Sequence, residues 1–250
     1  MATNKAEPIL DLDRGLEACR RVRDETETIV LKFSSGKDSL AMWLKCREIF
    51  PKEKITPIFH YWVPGLKFVD RTIAMYEEYF QTKIIQMPHP NFHNYLANGA
   101  YQPPHRWNVI ETHNLDTWDY DEVVDFVAYD LGLQNYWVAV GIKASDSPIR
   151  AAAVRKNGAW TPAKRLFYPV ADLRKADLIE LFRKHKVPLS EDYNIFGRSF
   201  DGLQLRYIDK IKTHYPEDFE TIKAWFPLIE AEYARGQAYA SQKELKKNNQ

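Results

Sequence analysis

Cysteine is almost missing from this chain: of 250 residues only Cys19 and Cys46 are cysteines. They form no C-x-x-C pair, which argues against a zinc ribbon and against a disulfide framework. None follows Cys46, so the later chain has no thiolate to act as a nucleophile or to hold an iron–sulfur cluster. Long apolar runs are missing too. No stretch approaches the roughly 18 residues that a membrane span requires, and the start, Met1 to Pro8, has no apolar signal region. The expectation is a cytoplasmic protein with no membrane association. Neither sign of charge is in excess: 35 Lys and Arg face 34 Asp and Glu, a net charge of +1. That balance neither requires nor forbids a polyanionic partner and leaves the matter to local clusters. No internal repeat is visible.

What the chain does have is enough apolar residue, 45%, for a sizeable core, in a length that suits one large α/β domain or one domain with a decorated tail. Tryptophan and tyrosine are abundant, 7 and 14, and aromatic packing is a more economical reading of them than stacking on a base.

Apolar runs alternate with helix-period segments. Residues 11–24 read as an amphipathic N-terminal helix with Leu12, Leu16 and Cys19 on one stripe. A strand is expected at 28–33, a loop at 34–39 and a helix at 39–50. A strand then covers 55–61, a helix lies near 66–80 and a short strand covers 82–87. The stretch 88–118 holds four of the seven histidines (His89, His93, His105, His113) and Pro103-Pro104. It is too long for a plain connection and reads as an insertion or lid with one short helix at 91–96. Apart from His89 and His93, which straddle Pro90 and Asn91, the histidine spacings lack the i, i+4 pair of a zinc signature, so contacts with a ligand beneath the lid are the expected role. A helix follows at 119–131 with Gly132 just past its end, then a strand at 136–141, a candidate strand at 165–169 and a helix at 175–186. Beyond Phe200 the pattern turns to charged helices, 203–215 and 216–234, and a polar tail. The expected layout is an N-terminal helix (1–27), a nucleotide-binding α/β domain (28–199) and a helical C-terminal extension (200–250). Its sheet is parallel, Rossmann-like and covered by helices on both faces. The aromatic tail residues Tyr207, Tyr215, Phe219, Trp225 and Phe226 would pack on the core or on a second subunit, and a homo-oligomer is expected.

The chemistry concentrates at Ser34-Ser35-Gly36-Lys37-Asp38-Ser39, between the apolar run Ile29–Phe33 and the helical Leu40–Leu44. A strand that feeds a small polar turn opening a helix is a phosphate cradle, because free N–H groups and the helix dipole both face the anion. Ser34, Ser35 and Ser39 offer hydroxyls, Gly36 allows close approach and Lys37 adds a point charge. Asp38 makes sense beside an anion if it holds a divalent cation or braces the loop. The spelling is not a Walker loop: the residue five before Gly36 is Leu31, and Lys37 is followed by Asp38. A second cluster, Gly141-Ile142-Lys143-Ala144-Ser145-Asp146-Ser147-Pro148-Ile149-Arg150, follows the late strand. Its glycine admits a ligand, its two cations can bracket a phosphate or sulfate, and Asp146 or Ser147 before Pro148 can cap a helix. A basic segment containing Arg155, Lys156, Lys164 and Arg165, with Trp160 inside it, could bind a further phosphate, a base or a nucleic-acid backbone, or be a solvated loop.

The first loop resembles the S-G-G-x-D-S pyrophosphate loop (PP-loop) of the ATP pyrophosphatase superfamily, with Ser35 at the first glycine. The second resembles the G-x-R-x-x-E-S-x-x-R segment of the phosphoadenosine-phosphosulfate (PAPS) reductase-like branch, with Lys143 for Arg and Asp146 for Glu. Phe167–Val170 and Leu178–Tyr193 are similar, more loosely, to that branch's later pattern. The resemblance implies an adenine nucleotide alpha hydrolase-like fold and an enzyme that uses ATP and Mg²⁺. It also implies binding by Phe33, Ser34, Ser35, Gly36, Lys37, Ser39, Gly141, Asp146 and Ser147, and catalysis by Lys37, Asp38, Lys143 and Arg150, with Asp38 on the metal. The chain departs from the reductases by lacking their C-terminal cysteine, which withdraws thiol-based sulfate reduction and any iron–sulfur cluster. What remains is adenylation of an unidentified acceptor with release of pyrophosphate. The alternatives are a sulfonucleotide (PAPS or APS) binder without reductase chemistry, and a non-catalytic nucleotide-binding component of a nucleic-acid-modification or defence complex.

Overall fold

Parallel pairing of β1 (Ile29–Phe33) with a strand more than a hundred residues later organises the protein. The computed structural model describes residues 13–248, with side chains to 239; Leu12, expected on the first helix, lies outside the described residues. In chain order, α1 (Arg14–Glu25) precedes β1, and α2 (Lys37–Arg47), β2 (Ile55–Tyr61), α3 (Lys67–Phe80) and β3 (Ile85–Pro88) follow it. Then come α4 (Pro90–Ala97), α5 (Trp107–His113), α6 (Tyr120–Asp130), β4 (Trp137–Ala139), α7 (Pro148–Asn157), β5 (Trp160–Thr161) and β6 (Leu166–Phe167). The chain ends with α8 (Lys175–His185), α9 (Glu191–Phe196), α10 (Leu205–His214), α11 (Pro216–Trp225) and α12 (Ile229–Asn248).

The six strands make one sheet in the order β3-β2-β1-β4-β6-β5, flanked by helices, so the fold is α/β. β2 pairs parallel with β3, β1 with β4 and β4 with β6; the edge strand β5 runs antiparallel to β6. No helix among the described residues is long and apolar enough to cross a membrane.

The chain divides into two compact units. One takes the residues up to Lys32 with Lys37–Ile55 and Asn135–His185; the other takes Phe33–Gly36, Thr56–Gln134 and the chain from Lys186.

In the first unit, Ile29, Val30 and Leu31 are fully buried, as an unbroken apolar run in a parallel strand requires. Helix α2 is buried from Ser39 to Leu44 on every side, which explains why Leu40-Ala41-Met42-Trp43-Leu44 shows no polar face. Helix α1 buries Ala18, Cys19 and Val22 and is capped twice. The Asp13 carboxylate accepts from the Leu16 N–H at 2.9 Å, and Asp172 accepts from the N–H groups of Arg14 and Gly15 at 3.0 and 3.3 Å. Cys19 and Cys46 are both free thiols in this core. Burial, with its neighbour Cys19, pushes the Cys46 thiol well up, so it is held as an inert thiol.

In the second unit, α3 buries the stripe Phe68, Val69, Thr72, Ile73, Tyr76 and Phe80. Its first turn is met by the Asp218 carboxylate, which accepts from the Lys67 N–H at 2.7 Å and the Phe68 N–H at 3.2 Å. Tyr207, Phe219 and Phe226 are buried within this unit, while Trp225 is partly exposed. The aromatic tail therefore serves the chain's own core.

Several boundaries move from their expected places. Helix α2 begins at Lys37 rather than 39, so only Ser34, Ser35 and Gly36 lie between strand and helix, and neither serine is the residue next to it. The 136–141 strand stops at Ala139, and the 216–234 helix breaks at 226–228, where Phe226 leaves helical geometry and is buried. Helix α12 continues through the polar tail to Asn248. Gly132 follows α6 with φ +63°, as a residue ending a helix in the left-handed region should.

Candidate functional site

Parallel neighbours β1 and β4 both end at the same edge of the sheet, with Leu31 opposite Ala139. The residues that leave those ends, 34–39 and 140–143, are the two segments that carry the sequence motifs. Ligands in open α/β sheets bind outside such carboxyl ends.

In the first unit the two motifs touch. A side chain on Gly141 would place its first carbon 3.3–3.4 Å from the Asp38 carbonyl and the Ser39 nitrogen, so the two backbones lie in close contact here and any side chain would have to press them slightly apart. The Lys143 ammonium donates to Asp38 Oδ1 across a sequence separation of 105 residues, and Asp146 Oδ1 lies 3.7 Å from the same ammonium. Asp146 also accepts from the Lys143 N–H at 3.1 Å and from the Arg150 guanidinium at 2.9 Å. The result is a chain of alternating charge, Asp38–Lys143–Asp146–Arg150. Ser147 is the cap of α7: its hydroxyl accepts from the Arg150 N–H at 3.2 Å, with Pro148 in the first turn. Five of the expected site residues (Asp38, Gly141, Lys143, Asp146, Arg150) thus form one connected group, with Ser39 and Ser147 adjoining it. Lys37 is the first residue of α2, beside them in sequence.

In the second unit lie Phe33, Ser34, Ser35 and Gly36. Ser35 is 3% exposed and sits at φ +55°, a left-handed conformation that an L side chain rarely adopts. Its hydroxyl donates to the Ser34 carbonyl at 2.7 Å. A glycine would hold this turn without strain, which is the physical content of a glycine at this place in the resembling loop. Phe33 packs edge-on against Tyr76 at 5.5 Å between ring centres, anchoring the start of the loop.

Sequence reasoning missed what faces Gly36. A side chain there would lie 3.2 Å from the Ser199 hydroxyl and 3.9 Å from that of Tyr193. The segment bearing Ser199 is pinned by Asp192, which is 2% exposed. This carboxylate accepts from the Ser190 hydroxyl and from the Phe200 N–H at 3.0 Å, and burial raises its pKa. Tyr207 adds a hydrogen bond to the Ser199 carbonyl at 3.2 Å. A Ser-x-Asp pair opening a helix was the only signal for Asp192, and that spelling usually marks a solvated cap.

The histidines of 88–118 do not act alike. His89 is 8% exposed and caps α4. Its Nδ1 accepts from the Asn91 N–H at 3.0 Å, so the neutral ring carries its proton on Nε2 and donates to the Tyr120 hydroxyl at 2.7 Å. Trp62 stacks on the ring at 4.0 Å. Both nitrogens are engaged, which leaves no lone pair for a metal or a ligand. His93 lies parallel to Trp118 at 6.5 Å, and His105 and His113 are exposed. Burial drives the His89 pKa from 6.5 down to about 4, against a weaker opposing pull from the Asp201 carboxylate. Between those values the unfolded chain binds a proton that the folded chain refuses, so stability falls as pH falls. The expected loss from this one group is roughly 3 kcal/mol between pH 6.5 and 4. Urea midpoints measured across that window should fall less steeply in His89→Asn, which keeps a capping acceptor but does not titrate.

No protein-family model matches this chain, and no curated protein does. Among solved structures, an NH3-dependent NAD synthetase from Campylobacter jejuni, in complex with a nitrate ion, is similar over 89% of this chain and 93% of that one. Its sequence identity is 11% and its TM-score 0.42. A likeness at that level carries no conclusion about chemistry, and the α/β assignment stands on strand order and parallel pairing alone.

Proposed function

We propose that this chain is an adenine nucleotide alpha hydrolase-like enzyme of the pyrophosphate-loop type, which binds ATP with Mg²⁺ and adenylates an acceptor. The observation that supports this best is the meeting of two phosphate-type motifs, distant in sequence, at the ends of adjacent parallel strands: Gly141 against Asp38 and Ser39, and Lys143 on Asp38. In this reading the N–H groups at the start of α2, with Lys37, take the β- and γ-phosphates. Lys143 and Arg150 face the α-phosphate, where charge accumulates. An acceptor oxygen attacks the α-phosphorus, the bond to the bridging oxygen breaks, and pyrophosphate leaves with the electron pair. The work of the protein is positioning and charge neutralisation.

Magnesium is commonly held by one or two carboxylates and completed by phosphate oxygens and water. The donor set fits that pattern: two carboxylates, Asp38 and Asp146, lie together on one ammonium. Asp38 and Asp146 would hold the ion, which would supply neutralisation of phosphate charge.

The test is the product pattern. ATP labelled at the α-phosphate, incubated with Mg²⁺ and pools of nucleobases, carboxylates and amides, should yield labelled AMP or an AMP adduct together with pyrophosphate. Formation of ADP and inorganic phosphate alone, with every pool, would refute the reading.

A second reading, a sulfonucleotide bound in place of ATP, draws support from the second cation, Arg150, held on the same Asp146 as Lys143. Calorimetry decides between them. Tighter binding of phosphoadenosine phosphosulfate than of ATP, lost in Arg150→Ala, favours the sulfonucleotide.

A further inference from the structure

The basic segment after Asp146 begins with Arg150, a residue of the proposed nucleotide site, and continues well beyond it. From Ser147 to Ala171 there is no Asp or Glu, yet five cations occur: Arg150, Arg155, Lys156, Lys164 and Arg165. The whole chain is net +1, so everything outside this segment is net negative. All five cations are exposed. Helix α7, which carries three of them, buries only Val154 and leaves Ile149, Ala152 and Ala153 open. A helix this exposed and this uniform in charge gains little for its own fold from that composition.

The far end of α7 opens onto a groove of about 190 Å³ in the same unit. One wall holds Arg14, Glu17 and Arg21 of α1; the other holds Asn157, Gly158 and Trp160. Trp160 is half-buried and fixed from behind by Trp137, stacked at 6.0 Å and 16°. The Arg21 guanidinium lies over the Trp160 ring, 5.0 Å from its centre, and is tethered to Glu17 at 2.6 Å. A rigid indole in a small groove, with an arginine over it and an acid-free basic helix leading to it, combines an aromatic stacking platform with a backbone-tracking charge row.

We propose that α7 and the Trp160 groove bind single-stranded nucleic acid. One base takes the place of the Arg21 guanidinium on the Trp160 ring, the displaced Arg21 and Arg14 turn to its phosphates, and the strand follows Arg155 and Lys156 along α7. The groove takes one planar ring, whereas a duplex keeps its bases stacked inside. An acidic peptide would satisfy the cations but has no use for the indole. This proposal does not depend on ATP chemistry at the strand ends, roughly 15 Å away along the ten residues of α7.

The experiment is fluorescence anisotropy of the full chain with a labelled single-stranded 12-mer, in DNA and RNA forms. With about four phosphates neutralised, affinity should drop about 50-fold between 50 and 200 mM salt, from the single-strand slope of about 0.7 per contact. Neutralising two exposed cations in Arg155→Gln/Lys156→Gln, which leaves the fold untouched, should weaken binding at least tenfold at 50 mM salt and roughly halve the salt slope. Trp160→Leu should weaken it by about five- to tenfold, Trp160→Phe should restore most of it, and binding should quench tryptophan fluorescence in the wild type only. Absence of binding at 50 mM salt overturns the proposal, as does an unchanged affinity in the double variant. Equal or tighter binding of the matching duplex, or of polyglutamate with no effect of Trp160→Leu, overturns it in favour of a duplex or generic polyanion surface.

Discussion

Gly15→Ala should destabilise the protein by about 3 kcal/mol or more, although alanine is the better helix former. By intrinsic propensity alone the substitution would gain roughly 0.5–1 kcal/mol. The added methyl, however, would stand 2.0 Å from the Pro169 carbonyl oxygen and 2.6 Å from its carbon. Both are backbone atoms of the connection after β6, so no side chain can turn aside. Helix α1 must move by more than an ångström. Doing so pulls the Arg14 and Gly15 N–H groups off the Asp172 carboxylate, itself half-buried and raised in pKa by burial. Overpacking and the loss of a buried cap add in the same direction. In a protein of this size the melting temperature should fall by about 6–12 °C. An unchanged or higher melting temperature in Gly15→Ala would show that α1 is not seated on Pro169.

Lys143→Ala should lower kcat/KM for nucleotide turnover by about 10²- to 10³-fold, with kcat falling more than KM rises. Lys143 touches both Asp38 and Asp146, and in the proposed reaction it faces the phosphate on which charge builds. An interaction that strengthens in the transition state appears in kcat. Lys143→Arg keeps the charge with a wider, planar head and should recover part of the loss. A loss of turnover in Lys143→Ala at an unchanged melting temperature separates a role on the nucleotide from one in holding the fold. Turnover of Lys143→Ala within threefold of wild type would remove this lysine from the mechanism.

How far these features could be read beforehand depends on whether a residue's role is local. Strand β2 was legible to the residue, because Ile55–Tyr61 is an apolar run bounded by turn signals. The Ser34–Ser39 turn was legible because strand, small polar loop and helix are neighbours in sequence. Strand β5 was not: two residues between Gly158 and Pro162 have no periodicity, and only pairing with β6 makes Trp160–Thr161 a strand. Helix α7 was visible only as a Ser-Pro start, since an alanine-rich helix with one buried position has no apolar stripe to detect. At the site, Lys143 and Asp38 are 105 residues apart, and nothing in either segment alone says that they pair. Asp172 and Asp218 brace backbone N–H groups more than 150 residues away, and Asp192 braces one eight residues on, across a loop. In sequence they look like any exposed acid, because the partner that justifies burying a carboxylate is fixed by tertiary structure.

The left-handed turn at Ser35 has a consequence for the energetics of any anion the loop receives. A flexible loop must surrender conformational freedom each time a ligand arrives, and its affinity is reduced accordingly. Here the unfavourable backbone angle is imposed while the chain folds, and burial of the serine with its hydroxyl on the Ser34 carbonyl keeps it there. The turn is therefore preorganised: the entropy of ordering it is charged against the stability of the protein rather than against the ligand.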